Sequence, residues 1–437
     1  METIETVKGS SPLWDKGKLF IKAIIIFVMA LFLWIPTYFI MNIVKEREGR
    51  QMEAIADISS KWADKQVVTG PVLMLPYRVT ITDEKGQQSW MKQNAYFMAD
   101  KMEINSVVFP EKRKRGIYEV AVYRTDLSIT GSYNNVPWEK LNVLAENILW
   151  NEALLLFKVQ DQLKGINEDI RINWNDNTLI FYPQASGQTS LSDAMVTAVP
   201  LDKESAGEAI RFNLKFSLNG SGQLLFAAAA RENKIEMKSS WPNPSFTGVK
   251  LPDTRDVKDS GFVAAWKYMN RAMPQVSTVG TPNFSAAQMG ADLLIPVDSY
   301  DKTERSVKYA LLCIVLTFAA FFLVESIYKK PLHLLQYGLA GLALVLFYTL
   351  LLSISEYTGY NLAYLIAGIA TVGLVAWYTG SILKSAKLAL FISFVLTVVY
   401  GYVFSIIQLQ DYALLMGSLG LFVALAVIMY FSRRLDW

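Results

Sequence analysis

Apolar residues are arranged along this chain in two different ways. In six places they run almost unbroken for about twenty residues. The first run is residues 23–44 (AIIIFVMALFLWIPTYFIMNIV), and five more follow near the end, at residues 307–328, 334–355, 361–383, 388–408 and 412–431. A hydrocarbon core about 30 Å thick needs roughly 20 residues of helix, so each run predicts one membrane crossing. Pro36 interrupts the first, which a spanning helix tolerates where its neighbours satisfy the freed carbonyl. That run is too long for a signal-peptide core and no small-residue cleavage site follows it, so it reads as an uncleaved anchor.

Between the first and second runs the period changes. Met52, Ile55, Ile58 and Trp62 recur at helical spacing among charged residues, which predicts an amphipathic stalk over residues 45–65. Its apolar stripe is expected to pack on a folded domain rather than on lipid. After Gly70-Pro71 the period becomes two. Phe212, Leu214, Phe216 and Leu218 alternate with Arg211, Asn213, Lys215 and Ser217, a half-buried strand. Asn219-Gly220 then predicts a hairpin turn. Ile170, Ile172 and Trp174 alternate before an Asp-Asn turn, residues 83–86 (DEKG) read as another turn, and residues 117–133 read as a central strand. Short helices are expected near 138–148 and 262–271. Many strands with few helices predict a β-sandwich.

Composition supports the membrane reading. Of 437 residues 52% are hydrophobic and only 19% charged, less than the quarter usual in soluble proteins. The net charge of +3 points to neither a nucleic acid nor an acidic substrate as partner. Cysteine and histidine occur once each, as Cys313 and His333, so no disulfide can close within the chain and neither a His/Cys zinc site nor a Cys–His dyad is expected. Cys313 lies in an apolar run and reads as a core side chain.

Lysine and arginine orient the spans. Lys8, Lys16, Lys18 and Lys22 precede the first; Lys329 and Lys330, Lys384 and Lys387, and Arg433 and Arg434 fall on the same side of a six-span zigzag. The short opposite loops carry Glu356 and Asp411 and no basic residue. The expected division is therefore 1–22 cytoplasmic, 23–44 the first span, 45–306 outside, 307–431 a five-span bundle and 432–437 a cytoplasmic tail. In a Gram-negative cell the outside is the periplasm.

Several segments, taken in order, resemble the CreD family of bacterial inner-membrane proteins. They are VKEREGR with GPVLMLPY, GIYEVAVYRTDLSITG, SSWPNPSFTGVKLPDTRDV with GFVAAW, PVDSYDKTERSVKYALLCIVLTFAAFFLVE, HLLQYGLAGLALVLFYTLLLSISEYTGYNLAYLIA, and DYALLMGSLGLFVALA with SRRLDW. The resemblance covers nearly the whole chain. It implies one N-terminal span, a periplasmic domain and a C-terminal bundle. The family is associated with cell-envelope integrity, a two-component regulon, colicin tolerance and β-lactam response, and the resemblance carries over no catalytic residue.

The expected architecture is thus an α-helical bundle of six transmembrane helices with a large β-rich, sandwich-like periplasmic domain inserted between helices 1 and 2. Few residues invite a chemical role. Glu325 is a candidate intramembrane acid, either paired with Lys329 four residues on or handling a proton. Lys302, Arg305, Lys308, Glu356 and Asp411 form a candidate domain–bundle junction, with ordinary loop charges or a transport or catalytic site as alternatives. Gln336, Asn361 and Gln408 read as interfacial or interhelical hydrogen-bonders, and Ala363, Ala367, Thr371, Gly420 and Ala424 as close-packing positions. Residues 112–115 (KRKR) read as a solvated turn, and residues 241–244 (WPNP) as a corner with Trp241 in the core. Asp253 with Asp256 and Asp298 with Asp301 would serve acid–base chemistry only inside a cleft. No G-x-S-x-G motif or metal-ligand spacing is present.

The expected function is non-enzymatic support of envelope integrity and the envelope-stress response, with no cofactor. Expected partners are membrane lipids and an envelope protein or glycan; nucleic acid is not expected, and homo-oligomerisation is compatible with the bundle. A transporter or lipid-handling protein is the first alternative, a periplasm-facing envelope enzyme the second.

Overall fold

The computed structural model describes residues 12–82, 88–184, 193–271, 273–278, 282–295, 298–328, 330–409 and 412–432. The chain divides into two compact units, one of Met1–Met52 with Val297–Trp437 and one of Glu53–Pro296.

Glu53–Pro296 holds two sheets, whose strands are numbered in chain order. The first runs β13 (Pro244–Gly248), β17 (Gln288–Leu293), β11 (Gln223–Ala227), β1 (Gln66–Thr82), β5 (Leu154–Val159), β9 (Met195–Ala198) and β8 (Tyr182–Pro183). In addition, β2 (Gln88–Phe97) pairs with β1, and β16 (Val276–Ser277) with β2. The second runs β14 (Thr254–Lys258), β15 (Gly261–Met269), β12 (Ala230–Ser239), β3 (Ala99–Arg115), β4 (Tyr118–Tyr133), β10 (Ile210–Ser221), β6 (Arg171–Trp174) and β7 (Asn177–Ile180). Pairs are antiparallel except β1 with β11 and β3 with β12.

Alternation decides which side of each strand is dry. Along β10, Phe212, Leu214, Phe216 and Leu218 are buried while Arg211 and Lys215 face solvent. Phe216 meets Phe157 of β5 edge-on at 5.5 Å, and Phe246 of β13 meets Phe262 and Trp266 of β15 at 5.6 and 5.8 Å. Aromatic rings from both sheets therefore fill one layer between them, as in a sandwich. The central strand expected at 117–133 is β4, hydrogen-bonded to β3 and β10. Trp241 is buried and its indole N–H donates to the Leu294 carbonyl at 2.9 Å.

Four local expectations differ from the structure. Asn219-Gly220 does not turn: Asn219 faces Arg124 and Gly220 faces Tyr123 within the β10–β4 ladder. The chain changes sheet at Gly222 instead, where φ is +68°. Gly220 lies under the buried Tyr123 ring, whose hydroxyl donates to the Gln223 carbonyl at 2.6 Å. A methyl group there would strike that ring and the Gln66 side chain. Gly220→Ala is expected to destabilise the chain by about 1–3 kcal/mol through overpacking, read as a lower midpoint in thermal unfolding followed by near-ultraviolet circular dichroism.

Residues 262–271 are strand rather than helix, because β15 is paired on both edges, by β12 and β14, and buries Phe262, Ala264 and Trp266 at period two. Residues 138–148 form 3-10 turns, Trp138–Leu141 and Ala145–Asn147. The basic run 112–115 is the end of β3, not a turn; β3 and β4 pair as far as Arg115 with Tyr118, and the chain reverses at Gly116, φ +61°. The DEKG turn lies outside the described residues.

Nine helices are present among the described residues: α1 (Pro12–Phe32), α2 (Trp34–Trp62), α3 (Gln162–Gly165), α4 (Asp298–Lys308), α5 (Ala310–Tyr328), α6 (Leu334–Thr358), α7 (Tyr360–Leu383), α8 (Ala386–Gln408) and α9 (Ala413–Ser432). Five stretches are long and apolar enough to cross a membrane: Phe20–Trp62, α5, α6, α7 and α8. Within α9 the apolar stretch is shorter, Leu415–Val427. Leu33 breaks α1 from α2 three residues before Pro36, whose missing N–H leaves the Phe32 carbonyl without its helical partner. Leu365, Ile369, Trp377 and Phe394 are 57, 66, 73 and 65% exposed. Each such side chain left in water forgoes about 1.5–3 kcal/mol, so this surface is built for hydrocarbon. Ala363, Ala367 and Thr371 are buried along α7, and Gln408 donates to Asn361 at 2.6 Å between α8 and α7.

The stalk residues divide. Ile55, Ile58 and Trp62 are partly buried, but Met52 is exposed, so the apolar stripe begins one turn later than its spacing implies.

Candidate functional site

Strand register brings polar side chains into lines that no single strand reveals. One line crosses six strands of the second sheet on its solvent side: Lys234, Glu103, Thr130, Asn213, Asn173 and Thr178. A second, two residues along, carries Glu232, Lys101, Ser132 and Arg211. Adjacent strands lie about 4.8 Å apart, so the first line extends roughly 24 Å across the sheet. Together the two lines border an open groove of about 510 Å³.

Four of its five charges are paired. Lys234 donates to Glu103 at 2.7 Å, and Lys101 lies 4.0 Å from Glu232. The hydrogen bond to Glu103 raises the Lys234 ammonium above its ordinary pKa. Thr178 donates to the Asn173 side-chain oxygen at 3.0 Å, and the Arg211 backbone N–H to Asn175 at 2.8 Å. Asn213 differs: the residue lines the groove, but its side-chain oxygen is shielded from solvent and has no hydrogen-bond partner. A buried acceptor without a donor costs about 1–3 kcal/mol. The groove thus offers amides, hydroxyls and paired charges, a surface for hydrogen bonding rather than for proton transfer.

The basic strand end is engaged. Glu119 accepts from Lys114 at 2.8 Å with Lys112 at 3.6 Å, and these lysines hold its carboxyl below the usual range. Arg115 pairs with Asp57, and the Arg113 guanidinium lies 4.2 Å above the Trp62 ring. Asp253 is held by Lys250 at 2.5 Å and the Lys267 N–H at 2.7 Å, while Asp256 pairs with Lys258 at 2.6 Å.

In the helical unit, Glu325 does have a cation, but a distant one. Lys22 of α1, 303 residues earlier, pairs with one carboxylate oxygen, and Tyr337 of α6 donates to the other at 2.8 Å. Lys22 also donates to the Leu332 carbonyl at 2.6 Å. The acid therefore ties α1, α5 and α6 together. Lys329, its expected neighbour, lies outside the described residues.

Of the junction candidates, Glu356 accepts from Tyr300 at 3.0 Å and has Arg47 at 3.8 Å. Lys302 lies 5.9 Å over the Tyr360 ring, Lys308 pairs with Glu304 at 3.1 Å, and Arg305 is partly buried on α4. Asp411 lies outside the described residues. The cation that the fold places beside Glu356 is thus Arg47. His333 caps α6: its Nδ1 accepts the Leu335 N–H at 3.2 Å. Among the described residues no group of three or more His, Cys, Asp or Glu is placed to hold a metal.

Long apolar helices and a β-rich region define a membrane protein with a sizeable folded polar part. Residues 18–437 match the family model described as Inner membrane protein CreD. The chain belongs to that family. It is 29% identical over 432 residues to Inner membrane protein CreD of Escherichia coli (strain K12), covering 97% of this chain and 94% of the relative. It is accordingly an inner-membrane protein, and the family places it in envelope-related function.

Proposed function

We propose that this protein supports envelope integrity and the envelope-stress response without catalysis, by presenting residues 45–306 in the periplasm to an envelope partner. Both termini face the cytoplasm and six helices cross, α9 being the last. The distribution of Lys and Arg around the spans supports this orientation. The observation that carries the reading is the groove, lined by Thr130, Ser132, Asn173, Asn175 and Asn213. Rich in amides and hydroxyls, with only a single net positive charge from three cations and two carboxylates, it suits a hydroxyl-rich glycan better than a strongly charged protein surface. Strand spacing repeats the hydrogen-bonding groups at roughly the length of one sugar in an extended chain.

The test is photocrosslinking in growing cells. A benzophenone side chain at Asn173 is expected to capture cell-wall glycan, and the same group at Lys258 is not. Asn213→Ala with Lys234→Ala is expected to reduce the yield at least fivefold. Capture of lipid alone, or equal yields at the two positions, would refute the reading.

A further inference from the structure

A second cavity lies in the helical unit, between α5, α8 and α9. Its volume is about 600 Å³ and its walls are apolar, from Leu312 to Tyr328 on α5, with Phe391, Phe394 and Val398 on α8 and Ala424 on α9. Seventeen residues of helix, Leu312 to Tyr328, give it a length of about 25 Å. The cleft is lined by hydrocarbon side chains along its length. In an inner membrane, hydrocarbon is the medium that fills it.

One end is polar. Tyr328 lies there at the close of α5 and is exposed. Lys387 stands one turn before Phe391 on the same face of α8; it is exposed and forms no ion pair with the described residues. Under the orientation proposed above, this end meets the cytoplasmic leaflet, where anionic lipids concentrate. The opposite end is closed where the Tyr402 hydroxyl bonds the Met416 carbonyl and its ring covers Gly420.

We infer that this cleft is a binding site for an anionic glycerophospholipid, one acyl chain lying between α5, α8 and α9 and the phosphate at Lys387. The full chain would be placed in nanodiscs of phosphatidylethanolamine and phosphatidylglycerol containing phosphatidylglycerol with a diazirine in its acyl chain. After irradiation, label is expected on residues 391–399 and 419–427 at least fivefold above that on the exposed face of α7 at Leu365 and Ile369. Val398→Trp, which fills the cleft, should remove that excess and leave the α7 label unchanged; Ala424→Phe should do the same from the other wall. Lys387→Glu should lower labelling by the phosphatidylglycerol probe several-fold and leave a phosphatidylethanolamine probe unaffected. Even labelling of cleft and α7, excess label that survives both filling variants, or cleft crosslinks to a second copy would each overturn the inference. None of these readouts depends on the periplasmic groove.

Discussion

Glu325→Ala is expected to destabilise the helical unit by about 3 kcal/mol, the lower part of the range for removing one partner of a buried ion pair. The Lys22 and Glu325 side chains are 23% and 11% exposed, so the charge left behind on Lys22 keeps only limited access to water. Two helices would lose their tie at once, since the same carboxylate holds Tyr337. Thermal unfolding of the solubilised chain should show the loss as a midpoint several degrees lower. Lys22→Leu combined with Glu325→Leu should recover most of it, because removing both charges abolishes the cost of burying one alone. Tyr337→Phe should cost about 1 kcal/mol, the worth of one hydrogen bond. A single variant no worse than the surface change Lys308→Ala would show that the pair is not a structural tie.

Trp266→Ala is expected to cost about 3–5 kcal/mol, the range for emptying an aromatic site in a packed core. Trp266 is fully buried, donates to the Lys250 carbonyl at 3.2 Å and meets the Phe246 ring at 5.8 Å. Its loss opens a void between the two sheets where β15 and β13 face one another. Trp266→Phe should lose much less, roughly the hydrogen bond and part of the ring. Denaturant midpoints of the full chain, followed by tryptophan-independent near-ultraviolet signals from tyrosine, provide the comparison. A midpoint for Trp266→Ala within about 1 kcal/mol of the unsubstituted chain would mean that this layer relaxes to fill the space.

Local pattern made part of this structure legible. The alternation in β10 named its buried face correctly, because one side of that strand is dry along its length. Unbroken apolar runs marked the long helices for the same reason: every side of them must be apolar when lipid covers what protein does not. The errors came where a partner distant in sequence decides. Asn-Gly is a turn signal only when nothing lies above the glycine, and here Tyr123 does. Residues 262–271 contain alanine, lysine and methionine, good helix formers, yet two flanking strands impose the extended form.

The sites were less legible than the fold. Glu325 was identifiable as a costly acid, but its partners are a lysine 303 residues earlier and a tyrosine on the next helix. Lys22 was informative in sequence only as a topological charge. The groove is a product of register: Thr130, Asn173 and Asn213 are polar positions on three separate strands until pairing sets them side by side.

The placement of β1 constrains how this protein is made. It is the first strand synthesised, and it bonds β2, β5 and β11. The last of these begins at Gln223, and the same sheet is finished only by β17, ending at Leu293. A nascent chain must therefore carry an apolar strand with part of its backbone edge open while about 145 further residues, Thr82 to Ala227, emerge. Such non-local closure is slow and leaves sticky intermediates. Yield in the cell should accordingly depend on holdase capacity along the biogenesis route more than on the stability of the finished product.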